Sequence, residues 1–272
     1  MSPLRDAFRK EAGRIWRDKA KAESLGLQLN EETITETILF HLAKQFQGGD
    51  LSVTPFTKPQ EKANGADWEM WFMDGSKAVG LRVQAKRLFA KNGYASLTPN
   101  GPQTKTLISQ SSDCYPVFVL YNDRATYKLK RPVCGCKSYR GLSYLGCTLA
   151  SAYSVKHLKE CNPTTLNPIC IPWHCILCPV RSKPSPSLPE VVAGSINARA
   201  IGDGKLADPA EQRCNVISTP NLFRAHLENV ANTDRSVYSA VSAMDEHNAR
   251  LERYLEEREL TGALLISRKG RD

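Results

Sequence analysis

The sequence predicts an α/β protein in which an α-β-β-β-α-β succession builds a mixed central sheet, followed by a cysteine-rich basic segment and C-terminal helices. Three observations carry that expectation. Residues 66–73 and 79–88 read as adjacent strands joined by the turn signal Asp74-Gly75-Ser76, the second strand alternating Leu81, Val83 and Ala85 with Arg82, Gln84 and Lys86. Residues 31–45 repeat Ile34, Ile38 and Leu42 at helical spacing. Residues 115–121, YPVFVLY, form a continuous apolar run suited to a strand buried on both faces. Helices that alternate with such strands layer onto a sheet.

Taken in order, residues 2–25 read as a basic helix with Phe8, Ala12, Ile15 and Trp16 on one side and Lys10, Arg14, Arg17 and Lys21 largely elsewhere. Such a face is either solvated or laid along a phosphate backbone. Gly26 breaks it. Asn30 suits the N-cap of the helix Glu31–Gln45, whose Glu31, Glu32 and Glu36 occupy the turns where the helix dipole favours acids. Residues 51–56 form a short strand, ended by Thr57-Lys58-Pro59, and the hairpin follows. Residues 90–102 read as a loop, and residues 103–111 as a helix with Leu107 and Ile108 inward. Past the apolar run, residues 151–158 suit a helix and residues 182–189, SKPSPSLP, a linker. Two helices follow at 222–230 and 235–259, and GALLIS at 262–267 suits an edge strand. The expected organisation is an N-terminal basic helix (1–28), a sheet-bearing domain (29–181, with the basic cysteine-rich part at 122–181) and a linker with a helical C-terminal region (182–272).

At 272 residues the chain buries a sizeable core. No run of eighteen apolar residues and no leader-like N-terminus is present, which points to a cytoplasmic protein without a membrane partner. A net charge of +9 favours an acidic partner such as nucleic acid. Nine cysteines in such a chain read as reduced thiols, some with a metal, rather than as a disulfide framework. The G-x-S-x-G, Walker A and G-x-G-x-x-G motifs are absent, so serine-hydrolase, P-loop and dinucleotide chemistry have no sequence support.

The chemistry concentrates in the hairpin. A period of two puts Gln84 and Lys86 on one face, with Asp67 able to reach them from the neighbouring strand. A carboxylate, an amide oxygen and an ammonium at one spot suit Mg²⁺ and a positioned water. Glu69 shares the face of Asp67, where it either helps hold metal or pairs with Arg82 or Lys86.

This arrangement resembles the PD-(D/E)XK, or restriction endonuclease-like, nuclease superfamily, whose signature is an acid on one strand and (D/E/Q)-x-K on the next. Here the match is Asp67 with Gln84-Ala85-Lys86. The fuller string, EET-x-T, E-x5-DWE, QAKR, PVFVLYN and GCTLASA, looks like a bacterial family of that superfamily with a D…QAK motif. The resemblance implies a restriction endonuclease-like core and Mg²⁺- or Mn²⁺-dependent hydrolysis of nucleic-acid phosphodiester bonds, DNA ahead of RNA. Asp67, Gln84 and Glu32 would hold the metal, with Glu36 in reserve for Glu32, and Lys86 would position water and offset phosphate charge. Defence against foreign DNA, and homodimers that cut both strands, follow by analogy.

Lys128, Lys130, Arg131, Lys137 and Arg140, interleaved with tyrosines, suit phosphate contacts and base stacking, and Arg87 beside the QAK motif is a further candidate nucleic-acid contact. Cys175-Ile-Leu-Cys178 has a zinc-chelating spacing, and Cys134 with Cys136 would complete a structural Zn²⁺ site. Ile171, Ile176 and Leu177 around that pair look like core instead. Two rivals therefore stand beside the nuclease: a catalytically inactive nucleic-acid-binding module, and a zinc-stabilised interaction protein.

Overall fold

The structure, a computed structural model, describes residues 2–46, 51–57, 67–89, 93–94, 97–111, 113–125, 127, 141–179, 186–199, 213–225, 237–260 and 262–268. It is α/β, with a mixed, open sheet. Helix α1 (Ser2–Ser24) and helix α2 (Glu31–Gln45) precede strands β1 (Leu51–Thr57), β2 (Asp67–Asp74), β3 (Lys77–Phe89) and β4 (Gly93–Tyr94). Helix α3 (Pro102–Ser109) then crosses to β5 (Cys114–Tyr121). Beyond it come β6 (Cys147–Ser151), α4 (Ala152–Lys156), α5 (Pro163–Leu166), β7 (Cys170–Pro172) and α6 (Leu188–Arg199). The chain ends with β8 (Ile217–Ser218), α7 (residues 221–225), α8 (Val237–Glu257) and β9 (Gly262–Arg268).

The main sheet runs β1-β9-β2-β3-β5-β6-β7. Strands β2 and β3 form an antiparallel hairpin, while β3 and β5 lie parallel through the α3 crossover. Gly75 takes φ +58° as the first of two loop residues in the hairpin, where a side chain would strain the backbone. The C-terminal segment departs from the expected edge strand. β9 lies between β1 and β2, antiparallel to the first and parallel to the second. Its Leu264, Leu265 and Ile266 are wholly buried, so both faces of the strand are covered. The expected first and second strands are thus separated by the last.

Each face has its own core. Leu81, Val83 and Ala85 of β3 meet Phe8 and Ile15 of α1, Ile34, Ile38 and Leu42 of α2, and Val192 and Ile196 of α6. On the opposite face Leu88, Phe118 and Leu120 pack with Leu107 of α3 and Val155 of α4, while Trp71 and Leu265 pack with Phe223 of α7 and Leu251 of α8. Helix α1 ends in a Schellman motif, in which the Leu27 amide donates to the Ala22 carbonyl and Gly26 takes φ +71°. At Gly146 a Cβ would lie 2.0 Å from the Ala12 carbonyl oxygen, so only glycine lets residues 143–146 press against α1. Asn30 stands at the N-cap of α2 as expected, but its side chain makes no capping bond.

Candidate active site

At the open end of the hairpin Asp67 pairs with Gln84, and Glu69 with Arg82. Strand β3 sends Arg82, Gln84 and Lys86 to the same side of the sheet because side chains alternate. Gln84 and Lys86 are each only 5% exposed. Among the described residues neither side chain has a hydrogen-bond or ion-pair partner. Their polar ends are not wholly sealed from water, so both side chains stay open to a ligand at an otherwise buried spot. The carboxylate of Asp67 lies outside the described side chains; its backbone places it opposite Gln84.

Glu69 resolves differently from its neighbour. It is wholly buried, and Arg258 Nε donates to its Oε1 at 2.8 Å. Trp71 Nε1 and the Tyr254 hydroxyl donate to Oε2 at 2.9 and 2.6 Å, while Arg82 Nη1 lies 3.6 Å from Oε1. Arg82 also donates to the Gln110 side chain and to the Arg258 carbonyl. With its oxygens taken, Glu69 acts as a tie between the hairpin and the end of α8, and no contact reaches Lys86. The same carboxylate, after burial itself, pushes the Cys114 thiol well above its ordinary pKa.

The end of the β3–β5 pair is closed by α2 from the other face. Glu31 Oε1 accepts the Arg87 backbone amide at 2.9 Å, and Thr35 Oγ1 lies 2.7 Å from the Tyr121 hydroxyl. Glu32 and Glu36, the two glutamates favoured from the sequence, are exposed. The helix thus brings Glu31 to the QAK strand, not either of them. Arg87, expected on phosphate, instead donates to the Leu29 carbonyl at 2.9 Å and to Gln28 Oε1 at 3.0 Å, with its guanidinium 4.2 Å above the Phe89 ring. It ties the α1–α2 connection to the end of β3.

Beyond β5 a polar cluster continues this end of the sheet. The Tyr94 hydroxyl donates to Asn122 Oδ1, and Asn122 Nδ2 donates to the Leu145 carbonyl at 2.7 Å. Lys19 of α1 pairs with the fully buried Asp123 at 2.6 Å and with Glu23 at 2.9 Å. Burial raises the Tyr94 phenol well above its usual range, holding it as a neutral donor. Sequence reasoning missed this cluster, because its members are separated along the chain and carry no motif.

Lys128, Lys130, Arg131, Lys137 and Arg140 lie outside the described residues, as do Cys134 and Cys136. Cys175 and Cys178 are buried in the turn after β7, where Cys175 Sγ lies 3.6 Å from His174 Nε2. Among the described residues no three histidine, cysteine, aspartate or glutamate side chains gather as a metal site. The oxygen donors suited to Mg²⁺ on the face of Gln84 and Lys86 are the amide oxygen of Gln84 and, on the paired strand, Asp67; the Glu31 carboxylate meets β3 at the Arg87 amide, from the other face. No helix of the described residues is long and apolar enough to cross a membrane.

Comparison with curated proteins and with solved structures found no match. A family model does match, over residues 4–272, and the chain belongs to that family, DUF6615, a family of unknown function.

Proposed function

We propose that the protein is a metal-dependent nuclease that hydrolyses phosphodiester bonds at the open end of the β2–β3 hairpin. One observation carries this reading: Gln84 and Lys86 are buried together, opposite Asp67, yet unpartnered among the described residues. A structural hairpin would leave those positions apolar or paired, as it does at Glu69 and Arg82. The resemblance of Asp67 with Gln84-Ala85-Lys86 to the PD-(D/E)XK signature supports the same reading.

Asp67 and the Gln84 amide oxygen would hold Mg²⁺ or Mn²⁺, and the helix acid that supports this strand is Glu31, through the Arg87 amide, rather than the exposed Glu32. The ion supplies charge neutralisation at phosphate and acidifies water. Lys86 donates hydrogen bonds toward the scissile phosphate and the attacking water, and its charge offsets the negative charge that builds on phosphorus. Glutamine in place of an acid leaves one negative charge fewer, so the site binds metal less tightly than a three-acid site.

The test is cleavage of plasmid, single-stranded DNA and RNA with Mg²⁺ or Mn²⁺ by wild type, Asp67→Ala and Lys86→Ala. We expect metal-dependent cleavage, DNA ahead of RNA, reduced at least about 10²-fold in each variant. Cleavage that persists in both variants would overturn the assignment. Absent cleavage with equal DNA binding by all three proteins would leave a binding module on this scaffold.

A further inference from the structure

We propose a second nucleic-acid contact, remote from the hairpin: a phosphate-binding cavity under α1 that engages the substrate away from the cut. The cavity, about 380 Å³, is lined by Asp6, Arg9, Lys10, Arg17, Gln45 and Ser143 among others. Three cations face one carboxylate, and Asp6 is itself spent on Arg9 at 4.0 Å. Lys10 and Arg17 are exposed and have no hydrogen-bond or ion-pair partner among the described residues. The neighbouring Arg14, by contrast, is neutralised by Glu11 and Asp18.

The layout suits a polyanion better than a single small anion. Lys10, Arg17 and the exposed Lys21 recur at i, i+7 and i+11, so they form one row along α1 about 16 Å long. Polynucleotide phosphates repeat along such a row, and each neutralised phosphate releases counterions. The cavity wall at Ser143 and Tyr144 also follows directly in sequence on the basic stretch ending at Arg140.

Position links this cavity to the candidate active site. Gln45, in the cavity, ends the helix that Glu31 begins beside Arg87. At 1.5 Å per residue the two ends of α2 stand about 21 Å apart. In duplex DNA that distance corresponds to about six phosphates along one strand. The inference therefore rests on the nuclease reading for its biological sense, but its test does not.

Binding of a fluorescein-labelled 20-nucleotide single strand and of a 20-base-pair duplex is measured by anisotropy across a salt series in EDTA. The proteins are wild type, Lys10→Ala/Arg17→Ala and, as a charge-matched control at exposed sites elsewhere, Arg213→Ala/Arg250→Ala. We expect the cavity variant to bind more weakly. Its salt slope should be shallower by about 1.4 for the single strand and about 1.8 for the duplex, two phosphate contacts having been lost. The control should keep the wild-type slope. An unchanged slope in the cavity variant, no nucleic-acid binding by wild type, or an equal loss in the control would overturn the proposal. So would titration with inorganic pyrophosphate in which the cavity variant loses binding while its affinity for the 20-mers is intact, since the site would then take a small anion. A Mg²⁺ cleavage assay on the same wild-type protein separates the two readings. Binding that depends on the cavity without cleavage sinks hydrolysis alone, and cleavage with cavity-independent binding sinks the cavity alone.

Discussion

Lys86 and Arg87 are adjacent on β3 and face opposite sides of the sheet, so two cations that look equivalent in the sequence do different work. Lys86 is buried and has no partner among the described residues, while Arg87 is consumed by Leu29, Gln28 and the Phe89 ring. The choice among the three glutamates of α2 turns on rotation about the helix axis. Glu31 lies at i relative to the buried Ile34, Thr35, Ile38 and Leu42 at i+3, i+4, i+7 and i+11, which puts it on the inward side. That signal was present in the sequence, but the helix dipole explained all three acids equally well and hid it. Glu31→Ala should lower kcat/KM for cleavage about 10–100-fold. Glu32→Ala should stay within about twofold of wild type. Steady-state kinetics on both variants checks this, and equal effects would return Glu32 to the site.

At the scale of elements, the hairpin, α2, α3 and β5 were legible because each carries a strong period or a clean turn signal. Strands β6 and β7 were not, being short pieces of five and three residues whose pairing on β5 supplies what their sequences lack. Helix α6 has apolar residues over much of its surface, and its small residues gave no helical stripe to read. The C-terminal run reads as a strand, but nothing local in it specifies its place in the sheet. Its unbroken ALLI run is what an interior strand requires, and the Glu69–Arg258 pair fixes the approach of α8 that delivers it. Truncation after Leu260 should therefore abolish cooperative urea unfolding, because it removes a central strand and exposes the β1 and β2 edges. A truncated protein that unfolds cooperatively would show that residues 1–260 form a stable unit.

Across the whole molecule the cysteines behave as core. All seven described cysteines are free, and six are buried. Burial pushes the Cys161 thiol up to about 11 and Cys170 up to about 12, from an ordinary value near 9.0. Cys114, Cys147 and Cys214 move in the same direction for the same leading reason. Since the folded chain keeps its thiol protons to higher pH than the unfolded chain does, stability is full below about pH 9 and falls as pH rises through the folded values. The urea midpoint should hold between pH 7 and 8 and decline by pH 10. A midpoint flat to pH 10 would show that these thiols are not protected by burial.

What the sequence determined by itself was local and periodic: the α/β class, the hairpin, the face shared by Gln84 and Lys86, and the break of α1 at Gly26. Periodicity is a property of neighbouring residues, so it survives without tertiary information. Only the folded chain decided which acid approaches β3, that Glu69 is spent on Arg258 and Tyr254, and that Arg87 ties down a loop. It alone also decided that the last strand lies between the first two, and that Lys10 and Arg17 share a cavity with Ser143. Each of these joins residues far apart in the chain, and their partners are chosen by packing and charge neutralisation, which no local pattern records.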